Sequence, residues 1–236
     1  MNPIEAKKLA LVTGASKGIG AAIAERLAAD DWHVVLVARN AAKLEAIEDR
    51  IHDAGGSATI APLDLVADNG IGRLAQAIEG RWGRLDALVL NAAMLGSLGP
   101  VSAIDVKEFG KLIALNIVAQ QQLIAAFDPL LRQSQRASVV ALTSGVATAP
   151  RAYWAPYAAS KAALENLVLS YGMEVARLSK VRTLIVDPGR TRTDMRAEAY
   201  PGEDPATVKS PSVVADALAA RLAAGHEDGE RLTVEG

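Results

Sequence analysis

The sequence predicts a single α/β domain, a doubly wound parallel sheet with helices on both faces. Three observations carry this prediction. Apolar runs of four to seven residues alternate along the chain with longer stretches of helical periodicity, the pattern of successive βαβ crossovers. Several of those runs, such as Val34–Val37 and Leu88–Leu90, are continuously apolar, as strands buried on both faces must be. The composition joins 50% hydrophobic residues to only 4% aromatic ones. The core is therefore Ala, Val, Leu and Ile, which suits helices packed on a β-branched sheet better than a β-sandwich.

Strands are expected at Leu9–Thr13, His33–Ala38, Ser57–Leu63, Leu85–Leu90, Ala137–Thr143, Val181–Asp187 and Arg231–Val234. Helical patterns fall between them, at Gly18–Asp30, Ala41–Ala54, Asp68–Arg81, Ile104–Leu131 and Ala155–Ser179, with a shorter one at Ser212–Ala223. The second of these places Leu44, Ile47 and Ile51 at three- and four-residue spacing with charges between, as a half-buried helix requires. A chain of 236 residues without a low-complexity linker or fixed-period repeat reads as one domain. The stretch Arg190–Ser210, rich in Arg, Thr, Pro and Gly, is expected as an irregular, mobile flap between the sixth strand and the next helix.

Composition excludes several function classes. The formal net charge is −2 with no basic stripe, which argues against a nucleic-acid partner. Cysteine is absent, so there is no disulfide framework, thiolate zinc site or cysteine nucleophile. His33, His52 and His226 lie at a strand start, a helix and the tail, and no metal site is expected from them. The leader Met1–Lys8 is short and polar, and Leu9–Val12 is too brief for a signal peptide or membrane span. A cytoplasmic location is the expectation.

The stretch Leu9-Ala-Leu-Val-Thr-Gly-Ala-Ser-Lys-Gly-Ile-Gly20 runs a strand into a helix through a glycine-rich turn. Gly14 permits the tight turn, Gly18 lets the backbone approach a pyrophosphate, and Gly20 lets the helix pack closely on the strand. The helix N-terminus then presents free N–H groups and a positive dipole end to phosphates. An ordinary Gly-containing βα turn is the alternative, and the second strand helps decide. There, 19 residues beyond Gly20, the sequence reads Val37-Ala38-Arg39-Asn40. A free ribose 2′-hydroxyl wants an acid at that strand end, whereas a 2′-phosphate wants a cation. Arg39, with Lys17 inside the turn, points to NADP(H), because a guanidinium grips a phosphate bidentately. The plainer alternative leaves both as solvated surface charges.

Ser144 ends the apolar strand Val139-Val-Ala-Leu-Thr-Ser144, and 13 residues on comes Tyr157-Ala-Ala-Ser-Lys161 at the start of a helix. The four-residue spacing puts phenol and ammonium on one helical face. A cation beside the tyrosine is expected to lower its pKa from about 10 so that it can shuttle a proton. A serine on the adjacent strand end can hydrogen-bond the same substrate oxygen.

Taken together, the Ser144, Tyr157-x-x-x-Lys161 and Thr13-Gly-x-x-x-Gly-x-Gly20 elements resemble the short-chain dehydrogenase/reductase family over nearly the whole chain, and among its members the 3-oxoacyl-acyl-carrier-protein reductases. The resemblance implies a Rossmann fold with strand order 3-2-1-4-5-6-7. It also implies NADPH-dependent reduction of a carbonyl, with Ser144, Tyr157, Lys161 and Asn116 as the catalytic set. Asn116 would hold a water in the proton relay, and Lys161 would also bridge the nicotinamide ribose hydroxyls. Ser16 and Ile19 join the three glycines and Lys17 in the implied phosphate turn. Asp64, with Leu65, matches the adenine contact, and Asn91-Ala92 matches the element that steadies the sheet beside the adenosine ribose. Pro188-Gly189-x-Thr191-x-Thr193 resembles the segment that orients the nicotinamide carboxamide. The plainer alternatives make Asn116 a helix residue with a satisfied amide and Asp64 a cap for the next helix.

The chain departs from the family pattern at Ala93 and Leu90, beside Asn91, and in stopping at Thr233-Val-Glu-Gly236, short of the tail that supports many tetramers. A homodimer through the long helices Ile104–Leu131 and Ala155–Ser179, or else a homotetramer, is what the resemblance implies. The expected pocket wall is Met94, Leu95, Tyr153, Trp154, Met195 and Tyr200. Arg190, Arg192 and Arg196 are open to two readings, attraction of an anionic substrate or acyl thioester, or a solvated flap. Two other functions stay open, an NADP(H)-sensing regulator on the same fold and an NAD(P)-linked alcohol dehydrogenase working oxidatively.

Overall fold

The computed structural model describes residues 7–235, and the first six residues of the polar leader lie outside them. Seven strands form one parallel sheet in the order β3-β2-β1-β4-β5-β6-β7, the order implied by the resemblance. The strands are β1 (Lys8–Thr13), β2 (Trp32–Ala38), β3 (Ser57–Pro62), β4 (Ala87–Leu90), β5 (Ala137–Leu142), β6 (Val181–Asp187) and β7 (Glu230–Thr233). The principal helices are α1 (Gly18–Ala29), α2 (Ala41–Asp53), α3 (Gly70–Trp82), α4 (Val106–Ile113), α5 (Ala119–Arg132), α6 (Ala155–Val175), α7 (Asp194–Ala199) and α8 (Pro211–Ala224).

The two-residue alternation of a strand divides the core into two layers. Ala10 and Val12 of β1 face Ile23 and Leu27 of α1, Leu44 and Ile47 of α2, and Val214 and Leu218 of α8. Leu9 and Leu11 face the other way, into a layer with Ile78 of α3, Leu123 and Phe127 of α5, and Leu164 and Val168 of α6. Continuously apolar strands are therefore buried on both sides, as their sequence requires.

Three expectations need correction. The predicted strand Leu85–Leu90 is observed as Ala87–Leu90; Asp86 just before it bonds both neighbouring strands, its N–H to the Leu9 carbonyl at 2.9 Å and its carbonyl to the Ser138 N–H at 3.0 Å, and its carboxylate takes the Leu9 N–H at 2.8 Å. The predicted helix Ile104–Leu131 begins at Val106 and is interrupted by a π-helical segment at Ala114–Val118. The extra residue of such a segment re-aims neighbouring side chains, and these segments gather at functional sites. The stretch 190–210, expected as irregular, holds α7, a 3₁₀ turn at Pro205–Thr207 and a bridge between Thr191 and Lys209.

Candidate active site

The strand order reverses between β1 and β4, and in a doubly wound sheet that switch point opens a crevice at the carboxyl ends of the strands. Here the two strand ends are fastened to each other. The Thr13 hydroxyl donates to the Val89 carbonyl at 3.0 Å and accepts the N–H groups of Asn91 and Ala92 at 3.0 and 3.1 Å. The Asn91 amide donates back to the Thr13 carbonyl at 2.8 Å.

The glycine turn fits a pyrophosphate. Gly14 and Gly18 adopt φ of +66° and +58°, where a side chain would be strained. A Cβ on Gly20 would stand 2.4 Å from the Gly14 carbonyl oxygen. Lys17 is the extended N-cap of α1 and no side chain caps the helix, so the first-turn N–H groups are open to an anion. Ile19 packs on the core, while Ser16 is half-buried in the turn.

The charged residues around the turn are loosely held. Arg39 is exposed just past β2 and has no ion-pair partner among the described residues. Lys17, expected to face a 2′-phosphate, instead lies 2.7 Å from the Asp194 carboxylate at the start of α7. Asp64 accepts the Val66 N–H at 3.1 Å and shapes its own turn; the cap position of α3 belongs to Asn69. The Leu65 side chain is committed to the core.

The residues expected to be catalytic gather on the other side of the crevice. Asn116 lies in the π segment, fully buried. Its amide accepts the Met94 N–H and donates to the Met94 carbonyl, each at 2.9 Å, and donates to the Ser160 hydroxyl at 3.0 Å. Gln120 reaches back to the Leu115 carbonyl at 2.9 Å and the Ala92 carbonyl at 3.1 Å. Ser144 is half-buried and its hydroxyl faces the Val146 N–H at 3.5 Å.

Tyr157 and Lys161 sit in the first turns of α6, with the ammonium 5.7 Å from the ring centroid. The Lys161 Nζ donates to the Leu142 carbonyl at 2.7 Å. Lys161 does not depress the Tyr157 pKa as the spacing suggested. Burial pushes the phenol up, and the nearby Asp187 carboxylate adds to that. Burial instead lowers Lys161, to about 8, with Glu165 opposing the fall.

Pro188, Gly189, Thr191 and Thr193 connect β6 to α7 beside the glycine turn. The Gly189 N–H donates to Asp187 Oδ1 at 3.0 Å, Thr191 donates to the Pro188 carbonyl at 2.8 Å, and Thr193 caps α7 through the Arg196 N–H at 3.1 Å. The Thr193 methyl would lie 3.4 Å from a Cβ placed on Gly18, so this segment covers the turn. Two of the three flap arginines are taken up. Glu203 lies 3.0 Å from Arg190 and 2.7 Å from Arg196, and both hold its carboxyl down at about 2. Arg192 stays exposed.

Of the expected pocket wall, Leu95 joins Val146 and Tyr157 in a small apolar cluster on which Trp154 and Met195 pack, and Tyr200 stacks at 5.7 Å from Trp154. Met94 is half-buried beside Asn116. Tyr153 does not belong to the wall; it is 61% exposed at a φ of +70°.

The model of the family described as short chain dehydrogenase matches residues 8–204. The chain belongs to the short-chain dehydrogenase family. Escherichia coli K12 has a relative named uncharacterized oxidoreductase YciK, 35% identical over 208 residues, 87% of this chain and 82% of that protein. Among solved structures, a short chain dehydrogenase from Salmonella enterica serovar Typhi is 32% identical with a TM-score of 0.91, covering 100% of this chain and 99% of that one. A metagenomic short-chain oxidoreductase in complex with NADP is 35% identical with a TM-score of 0.80, covering 96% and 97%.

Several groups at this short-chain dehydrogenase site escaped the sequence reading. Gln120 looks like an ordinary helix position, and only its hydrogen bonds reveal it; Thr13 opens the glycine motif, but its fastening of β1 to β4 shows only in the structure. Asp187 reads in the sequence only as the end of a strand. Glu165 had a legible signal, since it stands four residues beyond Lys161 on the same helical face.

Proposed function

We propose that the chain is an NADPH-dependent reductase that converts an aldehyde or ketone to an alcohol, with Ser144, Tyr157, Lys161 and Asn116 as its catalytic set. The observation that carries this reading is the pairing of a buried, protonated Tyr157 phenol with a Lys161 group held at about 8, beside a glycine turn shaped for a dinucleotide. In reduction the tyrosine must be a proton donor, and a raised pKa keeps it protonated across the neutral range. Lys161 near neutrality is suited to return the proton that Tyr157 gives up. Ser144, on the strand end next to α6, would donate to the same substrate oxygen. The Asn116 amide is spent on Met94 and Ser160, so any relay water would be held by the π-segment backbone. NADPH supplies the hydride.

The turn glycines, the uncapped α1 terminus, Asn91-Ala92 and Arg39 are the groups that would hold the cofactor, and the NADP complex of the metagenomic relative supports its identity. Cellular cofactor ratios favour the reductive direction. The wall of Leu95, Val146, Trp154, Met195 and Tyr200 suits an apolar substituent on the carbonyl. Glu203 pairs with both Arg190 and Arg196 and occupies their donors, which weighs against an anionic group being recruited by those two. Exposed Val106 and Met173 on α4 and α6 support a homodimer across these helices.

The test is a panel of aldehydes, ketones and 3-oxoacyl thioesters, followed by the loss of NADPH absorbance. The reading expects turnover of apolar aldehydes or ketones with NADPH well ahead of NADH. No turnover across the panel, or NADH preferred, would contradict it.

A further inference from the structure

We propose that Glu165 is a positioning residue of this active site: it holds Thr143, the residue before Ser144, and supplies the buried negative charge that balances the Lys161 ammonium, while Arg231 of β7 competes for that charge. The inference rests on the reading of Lys161 as part of the proton relay, and adds to it three residues outside the expected catalytic set.

The geometry joins three elements behind the catalytic groups. Glu165 is 7% exposed and sits one turn beyond Lys161 on α6. Its Oε1 accepts the hydroxyl of Thr143 at the end of β5. The Arg231 guanidinium spans the carboxylate, with Nη1 3.2 Å from Oε1 and Nη2 on Oε2. Thr143 is itself fixed by its N–H to the Val186 carbonyl at 2.8 Å. Ser144 therefore follows a residue pinned on both its backbone and its side chain.

The charge argument starts from Lys161, which is 2% exposed and donates to one neutral acceptor, the Leu142 carbonyl. A buried ammonium so placed is costly unless an anion lies close by. The charged group that acts on it directly is Glu165, on its own helix, and Tyr157 lies 5.7 Å away; Arg231 of β7 reaches it through Glu165. Glu165 is the group that opposes the lowering of Lys161. The Asp187 carboxylate acts on Tyr157 and Arg231. Removing Glu165's charge and removing Arg231's charge should therefore move Lys161 in opposite directions. A fastener between α6 and β7 with no electrostatic role predicts no such opposition.

The experiment follows the Lys161 side-chain nitrogen by NMR in cofactor-free protein with isotopically labelled lysine, together with the pH dependence of NADPH-linked turnover. Glu165→Gln keeps an oxygen for the Thr143 hydroxyl and removes the charge. It should lower the Lys161 titration and the alkaline limb of turnover by about one pH unit. Arg231→Gln, at a partly exposed position, leaves the Glu165 charge to Lys161 and should raise both, by roughly half a unit. Titrations that stay put or move the same way in both variants overturn the proposal. If Glu165→Gln does not fold, a Lys161 titration in Arg231→Gln that is unmoved or lowered overturns it alone. Wild-type turnover in Lys161→Ala would instead overturn the catalytic reading, and the NMR titrations would still decide the electrostatic claim.

Discussion

The two halves of the sheet hold their functional groups by opposite means. In the half formed by β1, β2 and β3, the candidate cofactor groups are glycines, backbone N–H groups and two exposed cations, Arg39 and Lys17. In the half formed by β4, β5 and β6, they are buried side chains with their hydrogen bonds already made, Asn116 and Lys161 above all. The difference follows from the chemistry each half is suited to. A phosphate brings its own charge, and cations that stay hydrated until it arrives lose little by waiting. A proton relay needs groups fixed at set distances in a medium that shifts their pKa values, which only burial provides. The energetics differ accordingly. The exposed Lys17–Asp194 pair is worth about 0.2–1 kcal/mol and is easily exchanged for a phosphate. Losing the Asn116 amide would orphan both backbone groups of Met94, at about 1–3 kcal/mol each.

The largest effect that would break this contrast belongs to Asn116. Asn116→Ala should destabilise the fold by about 3 kcal/mol, read as a lower urea midpoint, with turnover lost as well; an unchanged midpoint would mean the catalytic half is not held by its buried polar groups. Arg39→Ala should leave the urea midpoint alone and weaken NADPH roughly 10- to 100-fold by titration calorimetry, the worth of charge-assisted bonds to one phosphate. NADH binding should not change, and equal losses for both cofactors would remove Arg39 from the 2′-phosphate. Turnover in the reductive direction should fall as pH rises through about 8, where Lys161 loses its proton; a rate flat to pH 10 would contradict a relay through it. The smallest effect is at the latch. Asp194→Ala should change stability by less than about 1 kcal/mol and tighten NADPH slightly, by releasing Lys17.

The fold was legible in the sequence because burial on both faces leaves a plain mark, runs such as Val34–Val37 between amphipathic helices. The glycine turn was legible for a similar reason, since Gly14 and Gly20 stand where the Asn91 amide and the turn's own backbone leave no room for a Cβ. What escaped depended on distance through space. Nothing in Ile104–Leu131 announces a π segment, and the bond from the Gln120 amide to the Leu115 carbonyl within it is visible only in the fold. Two flap arginines, Arg190 and Arg196, kept two readings open because their partner, Glu203, lies further along the chain. Most instructive is Tyr157. Spacing placed a cation near the phenol correctly, but the sign of the pKa shift is set by burial and by Asp187, 30 residues away in sequence.

The division between a half that binds and a half that reacts is tested most directly by Tyr157→Phe, assayed for NADPH affinity and for turnover of the best substrate in one preparation. Removing only the hydroxyl should leave the dissociation constant within about twofold, because the buried ring still packs, and lower kcat by roughly 100- to 10,000-fold, the usual worth of a general acid. Turnover at the wild-type rate with binding intact would contradict the account.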